Sequence, residues 1–443
     1  MNDIFTEYDV FDITIHSYKY QHCGTSIYGE CHMKPAIIRP NGDFIPSELS
    51  RLELGKVDVS GGWHDAGDYG KYIPTAAVTV YQLLLLADLF PVFAAENPVL
   101  LEEAAFELSW MLKMQDDDGG VYHKVNTYDF CDMVMPDMDT EPQLLYEKSS
   151  SAAAYFAAAT AYACRFNSNA FPARERIYDS AIRAGNYLKK ILPPDYEVLP
   201  SVDRTGPYIP AGVDTICIWA FAELYRLTGD RQWYDLCVSI NSMHMPVISG
   251  PLGWENMSAA AVWALYQEDG TAYYREQILA EAERICRCSA DDDFGCALQE
   301  NEYLWGSNKF AAAYGLLLIL AAEICDDTVC RKLYYSTASK QLKYILGNNA
   351  LGKCFITGFG NNPVCNPHHR IVQASKTVIP GLLVGGPNNS AEDGCYPAGL
   401  GKLGYADLPE AYSCNEYAVD YNAPLVFLSG GLAALKKGGQ IWS

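Results

Sequence analysis

The sequence predicts an all-α fold, and three observations support this class. Alanine-rich stretches whose apolar residues follow a helical spacing recur about twelve times along the chain. Runs of alternating β-branched residues are short and few, so a central sheet is not expected. Long stretches without a helical period occur at residues 23–74, 119–148 and 351–421, and are rich in Gly, Pro, Tyr and Asp. Twelve helices in succession indicate six helical hairpins.

The order of the helices follows from the same periodicity and from punctuation at their ends. Gly229 comes directly after Thr228, where a left-handed C-cap is expected. Asn422 and Pro424 stand where a cap and a first-turn proline would begin the last helix. We expect helices near 4–21, 75–90, 98–115, 149–166, 173–191, 215–228, 231–241, 258–267, 271–287, 307–324, 330–346 and 422–436.

Composition and charge exclude several classes of function. With 443 residues and 49% hydrophobic content, the chain can bury a large core. A formal net charge of -22 repels phosphate backbones and anionic lipids, so neither a nucleic acid nor a membrane surface is an expected partner. The longest apolar stretch, 311–325, is interrupted by Glu323 and falls short of the roughly 20 residues that cross a bilayer. We therefore expect a soluble protein with a neutral substrate.

The start of the chain and the cysteines bear on its location. Residues 1–12 carry four carboxylates and no basic or apolar segment of the kind that marks a secretory signal. A cytoplasmic protein is expected, with a secreted one whose signal was removed as the alternative. The 15 cysteines are an odd number and lack the regular spacing of a disulfide scaffold, so most are expected to be buried thiols, with some as metal ligands.

The densest chemical pattern is the segment 61–72, Gly-Gly-Trp-His-Asp-Ala-Gly-Asp-Tyr-Gly-Lys-Tyr. Asp65 and Asp68 are separated by the small residues Ala66 and Gly67, which allow a tight turn in which both carboxylates face one water molecule. One carboxylate can orient the water while the other removes its proton, as a hydrolase requires. The alternative is an ordinary Asp-Gly surface turn.

This segment resembles the signature of glycoside hydrolase family 9, the cellulase family whose fold is an (α/α)6 barrel. Further segments resemble the family in the family's own order, so that the likeness spans roughly residues 15 to 435. These segments are Gly119–Val125, Trp305–Asn308, Tyr344–Asn349, Thr357–Gly360, Asn366–Arg370, Pro380–Asn388, Asn415–Tyr417 and Asp420–Pro424. The resemblance implies one catalytic domain over 1–443, and no carbohydrate-binding module or immunoglobulin-like domain is recognised.

Carried over residue by residue, the resemblance implies an inverting mechanism. Asp68 matches the general base, Asp65 the partner that holds the water, and Glu416 the general acid. An inverting enzyme keeps its acid and base about 6.5 to 9.5 Å apart so that water fits between base and sugar. Glu416 must keep its proton near neutral pH, and the neighbouring Tyr412 and Tyr417, with Tyr421, are expected to raise its pKa by partial desolvation.

The resemblance also implies sugar-binding residues. The planar donors of the His-His-Arg run suit sugar hydroxyls, and aromatic rings stack on pyranose faces. The expected substrate contacts are His123, Trp254, Trp305, His368, His369, Arg370 and Tyr412, with Trp63 and Tyr72 as further candidates for stacking. The chain departs from some family members at Lys309 and Phe310, where those members carry an Arg-Tyr pair.

A second constellation suits a metal. Cys23, Cys31, His32 and His64 provide two thiolates and two imidazoles, a set that fits tetrahedral zinc, and some family members hold a structural zinc with a similar pattern. The alternative is two buried thiols and two hydrogen-bonded histidines. Calcium is common in the family, but no ligands are assigned here. The acidic runs 116–118 and 291–293 are candidates that are more often solvated turns. No organic cofactor is expected.

The predicted function is hydrolysis of β-1,4-glucosidic bonds in cellulose-like glucans or cello-oligosaccharides, with inversion. The alternative enzyme is an exo-acting cellodextrinase or exo-β-glucosaminidase on short soluble oligosaccharides. Two other classes of protein fit the sequence less well. A non-catalytic sugar-binding barrel would lack one of the three acids, yet all are present. A terpenoid-type barrel that binds diphosphate through magnesium at its Asp runs would need basic residues beside them.

Overall fold

Helices account for most of the computed structural model, which describes residues 5–24, 56–191, 204–210, 213–240 and 246–439 together with the backbone of 36–38. The helices in the described part of the chain are α1 (Glu7–Ser17), α2 (Ile73–Leu89), α3 (Pro91–Glu96), α4 (Val99–Met111), α5 (Ser150–Ala163), α6 (Arg174–Ile191), α7 (Asp214–Thr228), α8 (Arg231–Ile240), α9 (Ser258–Asp269), α10 (Ala272–Asp291), α11 (Ser307–Ile324), α12 (Thr328–Ile345), α13 (Arg370–Ser375), α14 (Tyr412–Asn415) and α15 (Val419–Lys437).

Twelve of the described helices form two layers, which confirms the predicted fold class. The inner layer consists of α2, α5, α7, α9, α11 and α15, and each packs against an outer helix: α4, α6, α8, α10, α12 and α1 respectively. Inner helices also pack side by side, α2 with α5, α5 with α7, α7 with α9, α11 with α15 and α15 with α2. The result is an (α/α)6 barrel.

Side-chain size separates the two layers. Every residue of α5 is buried, and eight of its fourteen residues are alanines, which let neighbouring helices approach closely. The outer helix α6 instead buries one stripe, which includes Ile177, Ala181, Ala184 and Leu188, and exposes charged residues elsewhere. The inner helix α11 is long and apolar enough to cross a membrane by length and composition, but 83% of it is buried inside the barrel.

Two of the predicted helix boundaries can be compared with the structure directly. Gly229 adopts φ 68° at the end of α7, which confirms the left-handed C-cap. The prediction at the last helix was wrong, because α15 begins at Val419 and both Asn422 and Pro424 lie inside it. Asn422 does not cap a helix: its side chain accepts from the Leu383 N–H and donates to Ser17 Oγ. These two hydrogen bonds join α15 to α1 and to the loop that carries Leu383.

Small sheets were not predicted, and they form within the long loops. The strands are β1 (Ala36–Ile38), β2 (Lys56–Val57), β3 (Lys71–Tyr72), β4 (Lys124–Asn126), β5 (Leu144–Leu145), β6 (Cys354–Thr357) and β7 (Pro363–Val364). One sheet has the strand order β2-β1-β5-β4-β3, in which β1 and β5 are parallel and the other pairs antiparallel. A two-stranded parallel sheet joins β6 and β7.

The loops that precede the inner helices meet at one rim of the barrel. Asp65 and Asp68 precede α2, Trp305 precedes α11, and Glu416 precedes α15. Residues more than 300 positions apart are thereby brought to the same end of the molecule. No disulfide bond joins cysteines within the described ranges, where they are buried or partly buried except for Cys365.

Candidate active site

The segment that carries Asp65 and Asp68 approaches neighbouring protein atoms so closely that two of its positions admit only glycine. A Cβ on Gly67 would stand 2.2 Å from the backbone oxygen of His368. A Cβ on Gly70 would stand 2.7 Å from Asp68 Oδ2. The Asp65 N–H closes the turn by donating to the Gly70 carbonyl at 2.8 Å. Only glycine allows this close approach, so the sequence Asp-Ala-Gly-Asp-Tyr-Gly is matched to its surroundings.

Asp65 is held by hydroxyl groups from two separate elements. Thr75 Oγ1, in the first turn of α2, donates to Asp65 Oδ1, and Tyr208 Oη donates to Asp65 Oδ2 at 2.6 Å. Only 2% of Asp65 is exposed. Burial, followed by the negative charges of Asp68 and Asp420, raises the pKa of Asp65 well above its usual value, and the two hydroxyl bonds oppose that shift. The orientation of this carboxylate is fixed.

Asp68 has more support for its negative charge. Its Oδ2 accepts the Gly70 N–H at 2.9 Å. Burial raises the pKa of Asp68, but the Arg370 guanidinium, this backbone N–H and the Asn126 amide all lower it. These three neighbours stabilise the charged form of Asp68, which is the form that a base requires.

Glu416 is placed by a backbone framework immediately before α15. Its carbonyl accepts the Gly385 N–H at 2.9 Å, and the preceding Asn415 carbonyl accepts the His368 N–H at 2.9 Å. Ala66, which lies in the Asp65–Asp68 turn, also pairs with Ala418, which follows Glu416 in the chain. This framework brings the Asp65–Asp68 turn against Glu416, whose carboxyl receives a backbone hydrogen bond from Gly67.

Electrostatics favour a protonated Glu416. Burial and the negative charges of Asp68 and Asp65 raise the pKa of Glu416 well above its usual value, while Arg370 opposes the shift. His368 Nε2 lies 4.0 Å from Glu416 Oε1, and His368 Nδ1 lies 2.5 Å from the Pro409 carbonyl. Burial lowers the pKa of His368, so its imidazole is neutral near pH 7. Glu416 therefore holds its proton more tightly than an ordinary glutamate does, as a general acid must.

The three acids face one cavity of about 470 Å³. Its wall combines carboxylates with aromatic rings and planar donors, which is the chemistry of a sugar site. The residues around it are Asp65, Ala66, Asp68, Tyr72, Phe130, Arg204, Gly206, Tyr208, Trp305, His368, Arg370, Tyr412 and Glu416.

Comparisons with known proteins agree with this geometry. The profile of Glycosyl hydrolase family 9 matches residues 8–429. The chain belongs to glycosyl hydrolase family 9. It is 30% identical to a cellodextrinase of Butyrivibrio fibrisolvens, over 93% of this chain and 81% of the relative. It is 32% identical to a xyloglucan-specific endo-beta-1,4-glucanase of Bacteroides ovatus, over 86% of this chain and 70% of the relative.

Solved structures of family 9 hydrolases show the same architecture. A metagenome-derived glycoside hydrolase family 9 endoglucanase superposes with a TM-score of 0.88 at 31% identity, covering 97% of this chain and 81% of that chain. The family resemblance recognised in the motifs is thus confirmed over nearly the whole chain.

Four of the seven predicted substrate contacts of this family 9 hydrolase line the cavity, and the further stacking candidate Tyr72 lines it as well. Trp305 and Tyr412 form adjacent aromatic walls with ring centroids 5.4 Å apart, and His368 packs edge-on against Tyr412. Arg370 also borders the cavity, but its guanidinium donates to the Gly67 carbonyl at 3.1 Å and the Cys131 carbonyl at 3.0 Å. Arg370 therefore supports the acid-bearing turn as well as facing the substrate space.

The other predicted contacts lie outside the residues that line the cavity. His369 is 1% exposed and its Nε2 lies 3.2 Å from Gln21 Oε1. His123 Nε2 lies 2.7 Å from the Pro207 carbonyl. Trp254 packs behind the wall, edge-on to Tyr208 with ring centroids 5.0 Å apart. Trp63, a further stacking candidate, is 2% exposed and donates from Nε1 to Glu103. Each of these four side chains contacts other protein groups, and none of them lines the cavity.

Tyr208 is the main site residue that sequence reasoning missed. It bonds Asp65, packs edge-on against Tyr72 with ring centroids 4.7 Å apart, and lines the cavity. Its φ of 44° is a left-handed conformation that costs a non-glycine residue about 1 kcal/mol or more. A single tyrosine among 31 gives no sequence signal of such a role. Phe130 and Arg204 also line the cavity and were also missed, because no local motif marks them.

The metal predictions fall partly outside the described residues, because Cys31 and His32 lie there. Cys23 and His64 lie on two paired segments: the Cys23 N–H donates to the Gly62 carbonyl at 2.8 Å and the His64 N–H to the Gln21 carbonyl at 2.7 Å. With His22 opposite Trp63, alternation places Cys23 and His64 on the same face of this ladder.

The acidic runs show no calcium cage. Lys148 Nζ lies 2.8 Å from both Asp116 Oδ2 and Asp118 Oδ2, so its ammonium occupies the space between them. Asp292 Oδ2 accepts the backbone N–H of Phe294 and Cys296. Across the described ranges, no group of three or more His, Cys, Asp or Glu side chains is placed to hold a metal ion.

Proposed function

We propose that this family 9 hydrolase cleaves β-1,4-glucosidic bonds of glucan chains with inversion at the anomeric carbon. Asp68 acts as the base that takes the proton of the attacking water. Asp65 holds that water, and Glu416 protonates the leaving oxygen. The observation that carries the proposal is that the buried Asp65 and Asp68 and the partly exposed Glu416 line one cavity beside aromatic rings.

The division of labour between the acids is tested by changing the leaving group. On cellotetraose, Glu416→Gln is expected to lose on the order of 10³-fold in kcat, because the sugar oxygen leaves without a proton. On 2,4-dinitrophenyl β-cellobioside, whose leaving group needs no proton, the same variant is expected to keep most of its activity. Asp68→Asn is expected to lose activity on both substrates, because water attack is impaired in each case.

The matched control is Asp291→Asn, which removes a carboxylate at the end of α10, outside the residues that line the cavity. It is expected to hydrolyse both substrates normally. Near-normal cleavage of cellotetraose by Asp68→Asn, or equal losses by Glu416→Gln on both substrates, would contradict the assigned roles.

The substrate proposed first is a short cello-oligosaccharide. Support comes from the relatives, one of which is named a cellodextrinase. The exo-β-glucosaminidase alternative is kept because the acidic cavity would attract a cationic amino sugar. Initial rates on cellotetraose and on chitosan oligomers separate the two, since each alternative predicts hydrolysis of only one of them.

We also propose that Cys23, Cys31, His32 and His64 hold a structural zinc ion. The pairing that sets Cys23 and His64 on one face of a backbone ladder supports this, and a closed set of two thiolates and two imidazoles fits zinc. When bound, the ion would fix the segment next to Asp65. Protein purified without chelator is expected to contain one zinc per chain, and Cys23→Ser is expected to lower both zinc content and melting temperature. An unchanged melting temperature without zinc would contradict the proposal.

A further inference from the structure

Lys124 is a buried cation next to one wall of the catalytic cavity. It belongs to β4, which lies between β5 and β3, so its backbone is held on both sides. Its ammonium donates to Thr205 Oγ1 at 2.8 Å and to the Gly206 carbonyl at 3.1 Å. Hydrogen bonds from a charged donor are stronger than those between neutral groups. Lys124 therefore fastens the segment 204–210 to the sheet.

The segment 204–210 supplies part of the cavity wall. It contains neither helix nor strand, so its position depends on bonds to other parts of the chain. Two further contacts join it to residues beside β4: the Arg204 N–H donates to the Tyr128 carbonyl at 3.1 Å, and the Pro207 carbonyl lies 2.7 Å from His123 Nε2. Three residues of the segment line the cavity, namely Arg204, Gly206 and Tyr208.

Two aromatic rings of the wall, Tyr72 and Tyr208, meet edge-on with centroids 4.7 Å apart. Lys124 contacts the first ring directly, because Tyr72 is its partner in the pairing of β3 with β4 and the ammonium lies 5.5 Å from the ring centroid. It reaches the second ring through the segment that carries Tyr208. One buried side chain thus supports both rings.

We propose that Lys124 is a positioning residue for the cavity wall, because it holds the segment 204–210 against β4. In that position Tyr208 stays beside Tyr72 and within hydrogen-bond distance of Asp65. Lys124 does not itself line the cavity, so it acts on the substrate through this segment. The inference rests on the proposed function, because it assigns Lys124 to the reaction of that same cavity.

The test is the steady-state kinetics of cellotetraose hydrolysis by the full chain. Lys124→Met removes both hydrogen bonds to the segment and is expected to raise KM on the order of 10-fold, because the displaced wall fits the sugar less well. Thr205→Val keeps the shape of the side chain but removes one acceptor of the ammonium, and is expected to raise KM about threefold. Thr205→Ser keeps the hydroxyl and is expected to keep the KM of the unmodified chain.

The effect on kcat shows whether Lys124 acts through Tyr208. A displaced segment weakens the bond from Tyr208 Oη to Asp65, so Lys124→Met is expected to lower kcat as well. Tyr208→Phe removes that bond outright. In the Tyr208→Phe background, Lys124→Met is therefore expected to lower kcat by less than about twofold further, while its effect on KM persists. Losses in kcat that multiply would overturn the inference.

The control is Lys148→Met, which removes a lysine that lies between Asp116 and Asp118 and outside the residues that line the cavity. It is expected to leave kcat and KM unchanged. An equal KM in Thr205→Val and Thr205→Ser would overturn the inference even if Lys124→Met failed to fold, and would leave the proposed function intact. Lack of hydrolysis by the unmodified chain would instead contradict the proposed function, and the inference with it.

Discussion

At the scale of single residues, the site depends on how differently three carboxyl groups hold their protons. Burial acts on all three, and the distinction comes from the groups around them. Arg370 lowers the pKa of both Asp68 and Glu416, and it is the cation that the structure places beside this pair. The working pH range of the enzyme should therefore depend on Arg370.

Arg370→Gln tests this dependence. Loss of the guanidinium raises the pKa of Asp68, so a higher pH is needed to ionise the base and the acid limb of kcat/KM moves up. It also raises the pKa of Glu416, so the acid keeps its proton to a higher pH and the basic limb moves up as well. The whole bell is expected to shift upward by about one pH unit.

Arg370→Lys serves as the matched control because it keeps the charge but loses the fork that bonds the carbonyls of Gly67 and Cys131. Its rate is expected to fall while the limbs stay in place. The pH profile of kcat/KM is measured from pH 4 to pH 9. If both limbs of the profile of Arg370→Gln stayed at their wild-type positions, Arg370 would not set these pKa values.

Residue identity was predictable where a residue belongs to a motif and unpredictable where contacts alone decide. Asp65, Asp68 and Glu416 stand in segments that match the family, and the structure brings them to one cavity. His369 and His123 belong to similar motifs, yet backbone direction turns both towards protein partners. Tyr208 depends on a left-handed backbone and on distant neighbours, which no local pattern encodes.

At the scale of elements, the helices were predictable because their periodicity is local. The strands in the long loops were not predictable, since some of them pair with residues distant in the chain, as β1 does with β5 and β3 with β4. The start of α15 illustrates the difference. Asn422 and Pro424 have the composition of a helix start, but pairing of Ala418 with Ala66 sets the first turn earlier.

The junction between the Asp65–Asp68 turn and the segment before α13 is the element contact that matters most for the site. Gly67→Ala places a Cβ against the His368 backbone oxygen, so one segment must move. We expect a loss of about 1–3 kcal/mol in the free energy of unfolding. A displacement of the acids also predicts a loss on the order of 100-fold in kcat/KM.

Gly61→Ala is the comparison for this prediction. Gly61 has a φ of 87°, but no atom lies within 4 Å of an added Cβ. It should therefore show only the backbone cost, about 1–2 kcal/mol, with activity close to normal. Urea denaturation and steady-state rates measure both variants. Equal activity in the two would mean that the close approach at Gly67 does not position the acids.

At the scale of the whole molecule, the barrel explains why chemistry encoded at residues 65, 68 and 416 comes together. The Asp65–Asp68 turn precedes α2, and Glu416 precedes α15. These two inner helices pack side by side, so the loops before them meet. The small alanine side chains of the inner layer permit that packing, while the loops at the rim carry the three acids. The net charge of -22 is compatible with a neutral glucan as substrate.

Single-displacement hydrolysis by Asp65, Asp68 and Glu416 is tested by the anomer of the first product. Proton NMR spectra recorded during the first minutes of cellotetraose cleavage distinguish the two anomers before mutarotation mixes them. Membership of family 9 predicts that the new reducing end appears first as the α-anomer. First appearance of the β-anomer would require two displacements through a covalent intermediate and would contradict the account.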